Sequence, residues 1–504
     1  MIKNGSKKHL INPFSWIVFL LYLIIAGYAM THHELWGDEI HSWNIAKASK
    51  GFFDLISNTR YEGHPPVWYI VLWTISKFTH DPAFIQIAHL IIACLVVFII
   101  LFYSPFTFFI KLLIPFGYFF LFEYSILSRN YAIGVLIALC ICVVMYKNFK
   151  VKLLLYYALL FLLSNTHLLA LLLGISFHLY FLLVLKETQE KYNSLFVHLA
   201  LGIVILLPAV YFIFPPSDSS LSANYWLDRW NINQLSSISQ APLRAFAPIP
   251  AWWEYNYWDT QFIIAAGSRS AITKWLTPIF SFGFVLLVCF LLKKNKKSLY
   301  FFLFNFLLII LVSFILPFTN SRHIGFIFIG FIIAFWFYSY QQSISTKQNI
   351  IVLGLLLLQI IGAIISISKD IRFPFSNGYK VKELLNEIPE QNKTITDYWC
   401  LNTLSAFTDR SFYCVDLQKE ASYLLWNNEL TAALKKSNRY SSGITVFLKK
   451  ESKNKAYMIS IHPPQKLFQL DDWLPALFNI KLIDKREGAI ERGGNLYLYE
   501  ITSL

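Results

Sequence analysis

Side chains able to do chemistry are scarce in this chain, and they come in groups. The stretch His32-His33-Glu34-Leu35-Trp36-Gly37-Asp38-Glu39-Ile40-His41 places three carboxylates within six positions. Like charges this close raise at least one carboxyl pKa, which suits a general base. Asp38 and Glu39 could equally open a helix over residues 40–49 and stabilise its positive end. The residues alone leave both readings open. Farther on, Arg60-Tyr61-Glu62-Gly63-His64-Pro65-Pro66 ends in two prolines that stop the chain and fix its direction. Glu62 and His64 then face the cleft that Asp38 lines, or they decorate a rigid turn. A third group, Glu123-Tyr124-Ser125-Ile126-Leu127-Ser128-Arg129-Asn130-Tyr131, carries one arginine. It either pairs with an acid such as Glu123 or grips a phosphate bidentately. Ser164-Asn165-Thr166-His167 and Thr319-Asn320-Ser321-Arg322-His323 add further basic groups. A single histidine in such a turn is commonly a hydrogen-bonded helix cap.

The elements that must position these groups are apolar. Of 504 residues, 56% are hydrophobic, 18% aromatic and only 14% charged. A soluble domain is nearer a quarter charged, so a soluble enzyme, a disordered chain and a disulfide scaffold are excluded. The long apolar runs read as about eleven transmembrane helices: 13–30, 83–103, 106–122, 131–146, 151–164, 168–185, 194–214, 271–292, 299–318, 323–340 and 350–368. The fifth and sixth are short enough to form one kinked span. The first run shows no small-residue cleavage site and is expected to remain as a helix. The six cysteines show no metal-ligand spacing.

The net charge of +14 has a simple source in this class, because basic residues hold cytoplasmic loops on their side of the membrane. No nucleic-acid partner is expected. Lysines 3, 7 and 8 precede the first run, and strict alternation groups them with lysines 147, 150, 152, 186, 191, 293, 294, 296, 297 and 347. That places the N-terminus in the cytoplasm. Segments 30–82, 123–130, 165–167, 215–270 and 319–322 then face outward, as does everything after residue 368. Residues 67–78 rise only about 18 Å as a helix, too little to span, and read as a helix lying at the outer interface. The polar groups above therefore meet at one depth, outlining a site at the outer membrane surface for a substrate with a lipid tail and a phosphate. The 215–270 loop holds Tyr225, Trp226, Trp230, Trp252, Trp253, Tyr255, Tyr257 and Trp258, with Asp228, Arg229, Glu254 and Asp259 among them. Such aromatics form an interfacial belt or stack on sugars.

The division expected is a membrane domain over residues 1–368 and a small extracytoplasmic α/β domain over 369–504. Within the latter, 379–388 reads as helix, and 393–399, 411–415, 443–448, 480–484 and 495–501 read as strands.

One ordered set of motifs resembles a known family. A first span is followed by Gly37-Asp38-Glu39, then Gly63-His64-Pro65-Pro66-Val67-Trp68-Tyr69, Ser128-Arg129-Asn130-Tyr131-Ala132, Thr166-His167 and Ser321-Arg322-His323. This order is similar to that of polytopic GT-C glycosyltransferases, in particular dolichyl-phosphate-mannose protein mannosyltransferases and aminoarabinose transferases. The resemblance covers residues 13 to about 340. It implies a membrane enzyme that moves a sugar from a polyprenyl-phosphate donor to the hydroxyl of a lipid, glycan or protein acceptor, with inversion. It implies Asp38 as the catalytic acid residue with Glu39 beside it. Glu62, His64, Glu123, Arg129, Tyr131, His167, Arg322 and His323 fall on or beside the substrate-binding elements. Leu127 stands where the family has a glutamate two residues before the arginine, and Glu123 lies one helical turn back. Arginines can stabilise a leaving phosphate without a metal, so no metal and no cofactor is expected. The resemblance also implies a bacterial plasma membrane. A transporter or a polymerase of lipid-linked sugars is the alternative, although transporters place polar groups near the midplane.

Overall fold

The computed structural model describes residues 13–146, 151–187, 192–219, 232–267, 271–316, 320–389 and 392–504. Lysines 3, 7, 8, 147, 150 and 191 lie outside the described residues, as do Tyr225, Trp226, Asp228, Arg229, Trp230 and Thr319. The chain forms two units: Met1–Met30, Ala88–Phe214 and Ala223–Ser368 make the first, and Thr31–Ile87, Pro215–Ser222 and Lys369–Leu504 the second. The polar tail thus shares its unit with the first long loop.

Among the described residues, seven helices are long and apolar enough to cross a membrane: Pro13–His32, Ala83–Tyr103, Leu168–Glu187, Ser194–Ile213, Lys296–Ile315, Ser321–Gln341 and Thr346–Arg372. This is the make-up of a membrane-embedded protein. Tyr131–Tyr146, Lys152–Ser164 and Leu276–Leu292 are apolar but shorter. Lys152–Ser164 and Leu168–Glu187 are two helices packed side by side, joined by the Asn165-Thr166-His167 turn, and do not form one kinked span. Within the first unit, Ser321–Gln341 is buried along almost its whole length. Lys296–Ile315 packs against it and against Leu168–Glu187. Aromatic contacts fill the seams, such as Tyr180 on Phe337 (4.1 Å) and Tyr146 on Tyr340 (4.0 Å).

The expected span over 106–122 is corrected. Helix runs only over Phe108–Leu113, gives way to a 3-10 turn at Ile114–Phe116, and resumes as a π-type turn at Phe119–Glu123. Pro115 lacks the amide that a continuing helix needs, and Gly117 is extended. Gly117 also allows close packing, since a Cβ there would lie 3.2 Å from the Gln359 side chain.

In the second unit the tail builds one sheet from β1 (Thr394–Thr396), β2 (Phe412–Cys414), β3 (Lys419–Ala421), β4 (Lys455–Ser460), β5 (Phe478–Arg486) and β6 (Leu496–Ser503). The order is β3-β2-β1-β4-β6-β5, with β1 parallel to β2 and β4 and the other pairings antiparallel. Two expected strands differ. Residues 443–448 lie within a helix, Arg439–Glu451, that buries Tyr440, Ile444, Phe447 and Leu448 at helical spacing. Its first turn is held by Asp471, whose carboxylate accepts from the Ser441 amide (2.7 Å) and hydroxyl (3.1 Å). Gly443 permits the close approach, because a Cβ there would lie 2.1 Å from the Val415 carbonyl oxygen. The strand expected over 393–399 stops at Thr396, where Asp397 accepts from the Cys400 amide (2.8 Å) and caps the helix Tyr398–Thr408. β4 and the helix Asn428–Leu434 were not expected from the sequence.

Candidate functional site

Asp38 and Glu39 begin the helix Gly37–Ala48. Glu39 occupies its third position and accepts from the Trp36 amide at 3.0 Å, the return bond of a capping box. Its neighbour differs in position and exposure. Asp38 is half-buried in the first turn, about 100° around the helix from Glu39. The Ser42 hydroxyl donates to the Asp38 carbonyl at 3.2 Å.

Glu39 is tied to a second acid through histidine. His33 Nε2 lies 3.3 Å from Glu39 Oε2, and His33 Nδ1 lies 3.1 Å from Asp370 Oδ2. His33 is fully enclosed and its ring contacts Phe375. Burial alone would push the imidazole pKa down. Asp370 and Glu39 outweigh it and raise it to about 10, so His33 is a cation between two carboxylates. Burial pushes the Glu34 carboxyl up to about 7, against the pull of Lys380 and His33.

A second pair lies farther along the same helix. His41 Nε2 meets Glu62 Oε2 at 2.8 Å, its Nδ1 meets the Asn402 amide at 2.9 Å, and its ring abuts Trp426. Burial disfavours charge on His41, but Glu62 outweighs it and raises its pKa. Glu62 sits in a 3-10 turn, Arg60–Glu62, followed by Gly63 at φ 64°, a left-handed conformation that favours glycine. Pro65 and Pro66 then lead into the helix Val67–Ser76, and His64 is half-buried on that bend. Two pairings in this unit involve expected residues, Glu39 with His33 and Glu62 with His41.

The first unit gathers six expected residues in one neighbourhood. Glu123 ends the π-type turn and is buried. It accepts from the Tyr118 hydroxyl (2.7 Å) and the Trp258 indole (3.4 Å). Burial, followed by the nearby charge of Asp259, pushes the Glu123 carboxyl up to about 8 against the opposing pull of Arg322. The Arg322 guanidinium lies 5.5 Å over the Trp258 ring. Its carbonyl accepts from the Tyr124 hydroxyl at 2.7 Å. Asp259, at φ 62°, accepts the Ser321 amide at 2.9 Å and so caps the helix that carries Arg322 and His323. Tyr131 faces His167 (4.9 Å) and His323 (6.1 Å). Burial lowers the Arg129 pKa to about 10; Tyr131 opposes this, and the like charge of Arg322 adds to it. Arg129 and Arg322 are thus within reach of each other's fields. Arg322 is a guanidinium that acts on Glu123.

No protein-family model matches the chain, and no characterised protein matches it. The site is therefore read from its own geometry. Among the described residues, no group of three or more His, Cys, Asp or Glu is arranged to hold a metal ion.

Several supporting residues went unrecognised in the sequence. His89 stands in the apolar helix Ala83–Tyr103, and its ring nitrogens face the carbonyls of Ser125 (2.8 Å) and Arg129 (2.9 Å). Tyr22 donates to the Phe120 carbonyl at 2.8 Å and lies 2.9 Å from the Ser125 hydroxyl. Together they pin the backbone from the π-type turn to Arg129. A lone histidine in an apolar run was the available signal. Asp370 gave none, because 337 positions separate it from His33.

Proposed function

We propose that this protein is a membrane glycosyltransferase of the GT-C type, transferring a sugar from a polyprenyl-phosphate donor to an acceptor hydroxyl. The observation that carries this reading is the gathering of Arg129, Tyr131, His167, Arg322 and His323 in one neighbourhood with the buried Glu123. Guanidinium and imidazole groups brought together in a partly desolvated setting suit a phosphate. The leaving group of the proposed reaction is a polyprenyl phosphate, whose charge grows as the bond breaks.

In this reading Asp38 takes the proton from the acceptor hydroxyl. The oxygen then attacks the anomeric carbon from the face opposite the phosphate. The carbon–oxygen bond to the phosphate breaks, the configuration inverts, and the bonding pair leaves with the polyprenyl phosphate. Arg129 and Arg322 stabilise that phosphate electrostatically. Glu39 serves as a positioning residue, since its carboxylate is committed to the Trp36 amide and to His33. The topology that goes with this reading has a cytoplasmic N-terminus and an extracytoplasmic tail, in a bacterial plasma membrane. The acceptor is a lipid, a glycan or a protein.

The test is incubation of the purified protein with a panel of polyprenyl-phosphate sugars and candidate acceptors, following release of polyprenyl phosphate. Release that depends on both donor and acceptor is expected. Transport of intact donor across a vesicle membrane, with no release, would replace the reading with a transporter.

A further inference from the structure

The first unit also carries an apolar groove away from Arg129 and Arg322. It has a volume of about 560 Å³ and lies among the helices Leu168–Glu187, Tyr192–Ile213 and Lys296–Ile315. Leu183 and Lys186 line it from the first, Leu199 from the second, and Tyr300, Phe304 and Leu307 from the third. Its volume falls within the range of ligand clefts, but its wall is almost wholly hydrocarbon.

Its placement along the helices identifies the ligand. The lining begins at Ser176 and ends at Lys186, a rise of about 15 Å, half of the ~30 Å hydrocarbon core. The groove is therefore one leaflet deep. Lys186 stands at its mouth, and the neighbouring helix begins with Lys296 and Lys297 after Lys293 and Lys294. An ion pair between Lys297 and Glu187 ties the two helix ends together there. Lys186, Lys293, Lys294 and Lys296 are all exposed, leaving this end strongly positive. His167 lies at the opposite end of the Leu168–Glu187 helix, about 28 Å away along its axis. The groove is thus separate from the His167, Tyr131 and Arg322 neighbourhood.

We propose that this groove is a binding site for an anionic phospholipid, with one acyl chain in the cleft and the phosphate at Lys186. A zwitterionic lipid offers the same chain but no net charge to the lysines. Each lysine near a headgroup contributes on the order of 1 kcal/mol, or roughly fivefold in affinity. Chain burial supplies the remainder, without preference between headgroups.

Native mass spectrometry of the full-length protein, equilibrated with equimolar phosphatidylglycerol and phosphatidylcholine, tests this. Phosphatidylglycerol should be retained at least about fivefold over phosphatidylcholine. Lys186→Glu should reduce that retention about fivefold or more. Leu199→Trp, at a position 41% exposed, should fill the cleft and remove the adduct while circular dichroism stays unchanged. Lys293→Glu, at the same helical end but outside the lining, should change retention less than Lys186→Glu does. Equal retention of the two lipids would overturn the proposal. So would unchanged binding in Lys186→Glu, equal effects of Lys186→Glu and Lys293→Glu, or displacement of phosphatidylglycerol by equimolar polyprenyl phosphate.

Discussion

In the second unit a buried histidine lies between two carboxylates, and in the first unit a buried carboxyl lies near two arginines and a second acid. Both arrangements take ionisable groups out of water, yet they resolve the cost differently. His33 has a carboxylate at each ring nitrogen, so the cation is held and its geometry is closed. Glu123 is instead driven toward its neutral form by burial and by the charge of Asp259, with Arg322 pulling the other way. A closed ion cluster fixes the backbone around it, and here it fixes the start of the helix that bears Asp38. The first cluster thus has a structural part in the fold, and the proposed function gives the residues around Glu123 a binding part.

The largest expected effect breaks the closed cluster. His33→Asn leaves Glu39 and Asp370 buried without their cation, and should destabilise the protein by about 3–5 kcal/mol, read by thermal or denaturant unfolding. A loss no larger than that of an exposed histidine such as His80 would make His33 an ordinary core residue. The next effect concerns the residues around Glu123. Arg129→Ala and Arg322→Ala should each weaken donor binding by about 1.5–3 kcal/mol while disturbing unfolding less than His33→Asn does. Binding of a polyprenyl-phosphate sugar by titration would show this, and destabilisation with intact binding would make the arginines structural.

The smallest effects are in pH dependence, where the two clusters should separate. The folded-state pKa of His33 is raised, so its contribution is complete below about 6.5 and is lost as pH rises through about 10. The Glu123 carboxyl is raised from 4.5 to about 8, so the folded state binds its proton more tightly than the unfolded chain does. That contribution is present below about 4.5 and is lost as pH rises through about 8. Glu123→Gln keeps a neutral acceptor for Tyr118 and Trp258, and should flatten unfolding free energy against pH between 4.5 and 8 while leaving the step near 10. A flattening in both windows would mean that the clusters are not distinct.

Local chemistry was legible in the sequence, and long-range partners were not. The helix after Trp36 follows from glycine and two acids in the first turn, and the short helix at 67 follows from its two prolines. The break in the 106–122 run was written in Pro115 and Gly117, but the hydropathy of the run concealed it. Residues 443–448 read as a strand through Ile444, Thr445 and Val446, whereas burial follows the 440, 444, 447, 448 spacing of a helix packed on the sheet. At the candidate site, the helix starts at or just before which Arg129, His167 and Arg322 stand could be found from residue type alone. The clamp of His33 by Asp370, and the approach of Arg322 to Glu123, depend on tertiary packing that no spacing encodes.

The most direct test of the catalytic account is turnover of Asp38→Asn, measured beside its affinity for a polyprenyl-phosphate sugar and compared with Glu39→Gln. Asparagine keeps the size and hydrogen bonding of Asp38 and removes only its capacity to take a proton. The account predicts at least about a hundredfold loss of polyprenyl phosphate release with donor affinity nearly unchanged, and a smaller loss for Glu39→Gln. A larger loss for Glu39→Gln in a stably folded protein would move the base to Glu39. Full activity in both variants would contradict the mechanism.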